Sequence, residues 1–249
     1  MSQPRPQDKQ KEARPAGWPR ARGRHYLEVM GDLHRKLNPE WYLEIGSGRG
    51  NSLSLASCRS IAVDPEFRLA SEVMGRKSEL HMFCKTSDAF FAGGIAEKLT
   101  PTIDLAFIDG MHLFDYVLRD FIATEKLCRA DSVILLHDLV PFSPAAAERE
   151  WVPERTKGWS GDVWKMSVIL REYRPDLDFK VLDPRPSGLG VVTKLDPENT
   201  VLEAAYDEIV AKFMDETIEG YGTKKLADIL RMQPPDDVVP ASAAEGAAQ

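Results

Sequence analysis

The chain reads as an α/β protein: a doubly wound, mostly parallel sheet of seven strands that ends in an antiparallel hairpin, with extra helices at its C-terminal end. Three observations predict this. Short apolar, β-rich runs alternate with helical patterns from residue 42 to residue 138. A glycine-rich turn follows directly on the first run. The last two runs are joined by a link too short to hold a crossover helix.

In order, the runs are YLEIG (42–46), SIAVD (60–64), LHMFC (80–84), IDLAFID (103–109), SVILLHD (132–138), FKVLD (179–183) and GLGVVTKL (188–195). Those at 103–109 and 132–138 are almost unbroken in apolar character, as parallel strands covered on both faces should be. The segments between them are long enough for crossover helices. The clearest is HLFDYVLRDFIATEKLC (112–128), where Leu113, Tyr116, Val117, Phe121 and Leu127 give one apolar stripe. RHYLEVMGDLHRKL (24–37) reads as a second amphipathic helix, which either packs on the sheet or closes over a ligand. The link PRPSG between the last two runs predicts an antiparallel hairpin, and the helical pattern at 198–232 is expected outside the sheet.

The domain is bounded at 23–232. Residues 1–22 and 233–249 are rich in Pro, Gln, Ala and charge and poor in large apolar groups, so both are expected to be disordered tails. The whole chain, 249 residues with 43% hydrophobic and 29% charged composition, suits a single soluble domain. The net charge of −7 argues against a nucleic-acid partner. The exception is a basic cluster at Arg5, Lys9, Lys11, Arg14, Arg20, Arg22 and Arg24, read as a solvated tail or, less often, an anionic contact. Cys58, Cys84 and Cys128 are widely spaced and read as reduced thiols. With no bilayer-length apolar stretch and no signal-peptide core at the N-terminus, a cytoplasmic location and no membrane partner are expected.

The turn EIGSGRGNS sits where a doubly wound sheet binds ligands, at the carboxyl end of its first strand. Gly46 and Gly48 supply backbone that can adopt positive φ and approach a ligand closely. The spacing is GxGxG followed by Asn51, which lacks the third glycine of the dinucleotide fingerprint. Asp64 ends the second strand, where an acid would receive ribose hydroxyls, and Glu44 suits a cationic ligand better than a pyrophosphate.

These residues resemble class I S-adenosylmethionine-dependent methyltransferases, whose first motif is E/D-x-G-x-G-x-G. AVDPE (62–66) is similar to their second motif, KTSDAF (85–90) to their third and LAFIDGMH (105–112) to their fourth, in the right order over residues 40–195. The resemblance implies a Rossmann-like methyltransferase fold with S-adenosyl-L-methionine as cofactor. It places Glu44 near the positively charged amino-acid portion, Asp64 on the ribose and Ser87 and Asp88 at the adenine, with Gly46, Ser47, Gly48, Asn51 and Asp109 also binding the cofactor.

Strand four ends in IDGMHLFDY and strand five in LLHDLVP, so Asp109, His112, His137 and Asp138 are the candidates for chemistry. The pattern IDG-x-H with a later HD is similar to a subgroup that includes macrocin-type sugar O-methyltransferases. On matching positions Asp109 and Asp138 would ligate a divalent metal, magnesium or manganese, with His137 where another Asp often stands and Met111 where the general base would be matched. A metal would lower the pKa of an acceptor hydroxyl; without one, His112 or His137 would serve as base. The plain alternatives are that His112 caps the following helix and that His137 and Asp138 only terminate a strand. His25, His34 and His81 carry no pattern and read as structural or surface residues.

Trp151 and Trp159 lie in a Pro/Gly-containing segment that could cover a substrate, whereas Trp164, Val168, Leu170 and Tyr173 read as core of a helix that Ser160 would cap and Asp162 would suit. The expected activity is methyl transfer to a hydroxyl of a small-molecule acceptor, with a homo-oligomer compatible with the sequence. Two rivals stand beside it: a cofactor-binding module without chemistry, and a nicotinamide-dependent oxidoreductase, for which no Tyr-x-x-x-Lys segment appears.

Overall fold

In a computed structural model of the chain, residues 14–94 and 102–237 are described. The strands are β1 (Gly23–His25), β2 (Trp41–Ile45), β3 (Arg59–Val63), β4 (Leu80–Phe83), β5 (Ile103–Ile108), β6 (Cys128–His137), β7 (Asp178–Leu182), β8 (Pro184–Arg185) and β9 (Leu189–Thr193). Seven of them form one sheet in the order β4-β3-β2-β5-β6-β9-β7. Every pair from β4 to β6 is parallel, and β9 runs antiparallel to both β6 and β7. The chain winds outward from β2 to β4, then returns to β5 on the other side, so the topological switch lies between the carboxyl ends of β2 and β5.

The two-residue period of a strand explains how the sheet is covered. Leu43, Ile45, Ile61, Val63, Ala106, Ile108, Ile134 and Leu136 point into one apolar cluster. Their neighbours Tyr42, Ala62, Leu105, Phe107, Val133 and Leu135 point into the other. Both faces are therefore buried, which is why these runs lack the polar alternation of a half-solvated sheet.

Helices α1 (Tyr26–Leu37), α2 (Ser87–Phe91), α3 (Phe114–Glu125) and α4 (Lys165–Tyr173) flank the sheet. In α1 the His25 imidazole accepts from the Leu27 amide at 3.3 Å, and Asn38 ends the helix in the left-handed region. Its Val29, Met30 and Leu33 join the second cluster. The third helix is shorter at both ends than the 112–128 pattern, because Leu113 is its N-cap and the chain leaves the helix at Lys126 to enter β6. It buries Phe114, Val117, Leu118 and Phe121, whereas Tyr116 turns to a cavity. The helical pattern at 198–232 breaks into α5 (Val201–Ala204), α6 (Tyr206–Phe213), α7 (Ile218–Tyr221) and α8 (Thr223–Leu230), which place Leu202, Ile209, Phe213, Leu226 and Leu230 in the first cluster.

The expected cap of α4 is not made. Trp164 is its N-cap, the Ser160 hydroxyl donates to the Ala146 carbonyl at 3.0 Å, and Asp162 instead accepts from the Phe114 amide at 2.9 Å. Asp162 thus satisfies an otherwise unpaired amide in the first turn of α3 from a distant loop.

Within the expected tails, the described parts at 14–22 and 233–237 make specific contacts. The buried Trp18 indole donates to the Pro141 carbonyl at 2.8 Å, and Gln233 bridges to Leu182 beside the sheet. The remainder of both tails lies outside the described residues. No helix among the described residues is long and apolar enough to cross a membrane.

Candidate active site

The chain turns sharply after β2. Gly46 has φ +86°, and a Cβ there would lie 2.2 Å from the carbonyl oxygen of Asp109, so the close approach of this turn to the end of β5 admits glycine alone. Gly48 has φ +44° and open space where a Cβ would stand. Its amide donates to Asp64 Oδ2 at 2.7 Å, while Asp64 Oδ1 accepts from the Glu66 amide at 2.7 Å. One carboxylate therefore ties the glycine turn to the end of β3.

These groups form the wall of a cavity of about 670 Å³ at the switch point. Gly46, Ser47, Gly48, Asn51, Asp64, Ser87, Asp88 and Asp109 all line it, with Tyr26, Met111 and Tyr116. A volume in this range holds a cofactor-sized ligand. The empty space above the Gly48 backbone and the carboxylate beside it fit a nucleoside with free ribose hydroxyls, the fit expected of S-adenosylmethionine. Asn51 Oδ1 is engaged by the Ser71 hydroxyl at 2.7 Å. Asp88 receives both Nε and a terminal nitrogen of Arg119 at 2.9 Å, and the Arg119 guanidinium lies 4.3 Å over the Tyr116 ring.

Glu44 departs from its expected place beside a cationic ligand. It is fully buried behind the turn and is not a wall of the cavity; Tyr42 Oη donates to it at 2.6 Å and Ser52 Oγ at 2.9 Å. Burial pushes its carboxyl up to about 7, against the pull of those hydroxyls. The strand alternation points its neighbours Leu43 and Ile45 to the other face, and Glu44 reaches the cavity wall through Ser52. Its role in this geometry is to hold the turn.

At the other end of the cavity the four candidates for chemistry converge. His137 Nδ1 lies 3.0 Å from Asp109 and 3.6 Å from Asp138. His112 Nε2 lies 3.4 Å from Asp109 and 3.2 Å from Asp138. His112 and Asp138 both adopt left-handed backbone, φ 54° and 59°, at the turns that follow their strands. The Trp159 carbonyl stands 3.2 Å from His112 Nδ1, so that nitrogen carries the proton and Nε2 faces the two carboxylates. Against the cost of burial, Asp138 and Asp109 raise His112 to about 9 and raise His137 as well, while the imidazoles hold Asp109 well below the carboxylate range. His112 is thereby an imidazolium at neutral pH in this arrangement, which suits charge balance better than proton abstraction. It is also not the cap of α3, since Leu113 holds that position.

Asp109, His137 and Asp138 each offer a ligand atom within 4.8 Å of one another. A site of two carboxylates and one imidazole fits manganese, iron or zinc at least as well as magnesium. The His137 ring is fixed on its other sides, with the Tyr26 ring centroid 4.4 Å away, Phe107 at 5.8 Å and the buried Ser187 hydroxyl 3.4 Å from Nε2. Met111, 57% exposed, lies at the cavity rim and supplies no acid.

Sequence reasoning missed Tyr26, Arg119 and the Trp159 carbonyl. Tyr26 is the first residue of α1, lines the cavity and touches the His137 imidazole; the amphipathic pattern at 24–37, read as packing on the sheet or closing over a ligand, was the available signal. Trp159 acts through its backbone as well as its ring, which lies 5.6 Å from that of His112, whereas Trp151 is 52% exposed and donates to the Thr156 carbonyl of its own loop.

Residues 43–139 match the family model described as "Methyltransferase domain". No curated protein sequence matches the chain. Among solved structures, the chain is similar to the O-methyltransferase TomG from Streptomyces achromogenes, involved in tomaymycin synthesis and solved with SAM, at 17% identity and TM-score 0.49, covering 69% of this chain and 80% of that one. It is similar in the same degree to an O-methyltransferase from Bacillus cereus in complex with SAH, at 15% identity, TM-score 0.49, 68% and 80% coverage. The SAH-bound methyltransferase PaMTH1 from Podospora anserina follows at 17% identity, TM-score 0.48, 69% and 78% coverage.

Proposed function

We propose that this protein, whose residues 43–139 match the model of a methyltransferase domain, transfers the methyl group of S-adenosylmethionine to a hydroxyl of a small-molecule acceptor, assisted by a divalent metal at Asp109, His137 and Asp138. The observation that carries the reading is the double position of Asp109, which lines the cofactor-sized cavity and belongs to the carboxylate–imidazole cluster. The two functions a methyl transfer to oxygen needs therefore meet at one side chain.

Methyl transfer breaks the sulfonium C–S bond, forms a C–O bond and releases the hydroxyl proton, leaving a neutral thioether. An activated sulfonium needs no further activation, so alignment and proton removal are the protein's share. The glycine turn lets backbone approach the cofactor, and the Asp64 carboxylate suits the ribose hydroxyls. Asp109, His137 and Asp138 would hold a divalent metal, which supplies a lowered hydroxyl pKa when bound. The proton passes to this cluster of acids and imidazoles, whose members stand 3.0–3.6 Å apart.

The test is calorimetric titration with S-adenosylhomocysteine, and with NAD in parallel, each with and without manganese or magnesium and repeated on Asp64→Ala. Homocysteine-product binding that weakens about tenfold or more in Asp64→Ala is expected. Preference for NAD, or no binding of either, would overturn the reading. Cofactor binding that responds to no metal, with no methyl loss across acceptors, would leave a binding module.

A further inference from the structure

A second cleft, of about 350 Å³, is lined by His25, which precedes Tyr26, and by Val140, two positions after Asp138. Arg14, Arg20, Arg185 and His25 line it together with Pro141 and Phe142, and no acid is among its described walls. In a protein of net charge −7, three guanidiniums gathered in one concavity run against the general surface. Two of them belong to the basic N-terminal cluster that the methyltransferase reading leaves without a role.

These arginines are not carried on a loose tail. Between Arg14 and Arg20, the Trp18 amide closes a turn on the Pro15 carbonyl at 3.2 Å, and its indole is anchored to Pro141 at 2.8 Å. Beyond Arg20, the Gly23 amide donates to the Asp183 carbonyl at 2.8 Å, and β1 pairs with β8 so that His25 stands opposite Arg185. Arg185 Nε is used in that frame, donating to the Gly23 carbonyl at 2.9 Å. Arg14 and Arg20 have no hydrogen-bond or ion-pair partner among the described residues. Two exposed arginines on an anchored backbone, without partners among the described residues at a concave wall, can close on an anion.

Single contacts tie the same walls to the proposed reaction centre. His25 precedes Tyr26, whose ring contacts that of His137. The Val140 amide, at the cleft, donates to the Ser187 carbonyl at 2.8 Å, and the Ser187 hydroxyl reaches His137 at 3.4 Å. We infer that this cleft recognises an oxyanion, a phosphate or a carboxylate, on the methyl acceptor, with Phe142 offering an apolar surface to the acceptor's body. The inference rests on the proposed methyl transfer and narrows its substrate class to anionic hydroxyl compounds. The anion takes no part in bond making; the arginines orient the molecule so that its hydroxyl reaches the Asp109–Asp138 cluster.

The test uses the full chain titrated with inorganic phosphate, and separately with acetate, at ionic strength held constant with chloride. Arg20→Ala and Arg20→Ala/Arg185→Ala are measured alongside, and S-adenosylhomocysteine affinity is recorded for every variant. Saturable single-site binding is expected, weakened about tenfold or more in the double variant, with S-adenosylhomocysteine affinity unchanged within about twofold. Tighter phosphate than acetate binding assigns a phosphate, and the reverse assigns a carboxylate. Absence of saturation, or binding indifferent to Arg20→Ala, overturns the inference. Arg20→Ala alone keeps the test decisive if losing the Arg185 bond to Gly23 disturbs the fold. Phosphate binding that depends on Arg20 in a protein that fails to bind S-adenosylhomocysteine would overturn the methyl-transfer reading instead, and with it the cleft's assignment to an acceptor.

Discussion

Between Gly46 and Asp64 the crevice is shaped by backbone, whereas between Asp109 and Asp138 it is shaped by side chains that neutralise one another. The first region needs glycine where a Cβ would strike the Asp109 carbonyl and one carboxylate to hold the turn. The second needs two acids and two imidazoles within 3.0–3.6 Å, drawn from two strand ends and propped by a loop some fifty positions further on. The first is therefore sensitive to shape and the second to charge, and substitutions can separate them.

The largest effect is expected where the two regions touch. Gly46→Ala forces a side chain into left-handed backbone and into the Asp109 carbonyl, which should cost about 3 kcal/mol or more of stability and abolish S-adenosylhomocysteine binding. Thermal melting and calorimetry read both losses; a variant that melts and binds like the parent would mean the turn is not rigid. Next, Asp138→Asn keeps a residue that tolerates the left-handed φ of 59° while removing a charge from the cluster. Methyl transfer should fall by about 100-fold or more, with S-adenosylhomocysteine affinity within about threefold. Equal losses in both would deny that the regions are separable.

Glu44→Gln sharpens the comparison from the other side, since Glu44 is a charge-bearing group in the shape-sensitive region. Its carboxyl lies near 4.5 when unfolded and at about 7 in the fold, so the folded state binds more protons between those values. The stability it contributes is fully present below pH 4.5 and is lost as pH rises through 7. Urea unfolding at several pH values should show that decline in the parent and a flatter profile in the variant; identical profiles would place Glu44 in a solvated setting. The smallest effect is expected for Arg119→Ala. Its pair with Asp88 is substantially exposed, so stability should change by about 1 kcal/mol or less. Cofactor affinity should drop only a few-fold, by loosening Asp88 and the packing on Tyr116.

The legibility of the sequence follows the same division. Continuous apolar runs announce parallel strands because both faces of this sheet are buried, and each of the seven expected runs overlaps an observed strand. The glycine turn could be read because all its parts lie within a few residues of one another. Asp109, His112, His137 and Asp138 were visible as polar breaks at strand ends, but their mutual distances and charge balance were not. What was hidden acts over long separations or through backbone: Tyr26 against His137, the Trp159 carbonyl on His112, Trp18 on Pro141. Two-residue strands such as β8 are too short to leave a period. The burial of Glu44 behind the turn was hidden too, because proximity in sequence to a glycine turn says nothing about which face of the strand a side chain takes.

The loop before α4 has a consequence for redesign. A Cβ on Gly161 would lie 1.7 Å from the His112 carbonyl oxygen, Trp159 accepts at that residue's ring, and Asp162 receives the first amide of α3. Residues 159–162 are thus a keystone set between the reaction centre and the helix behind it. A graft that exchanges the segment before this loop should begin after Ser143 and rejoin the parent chain before Trp159, because a cut any later would replace the mounting of His112.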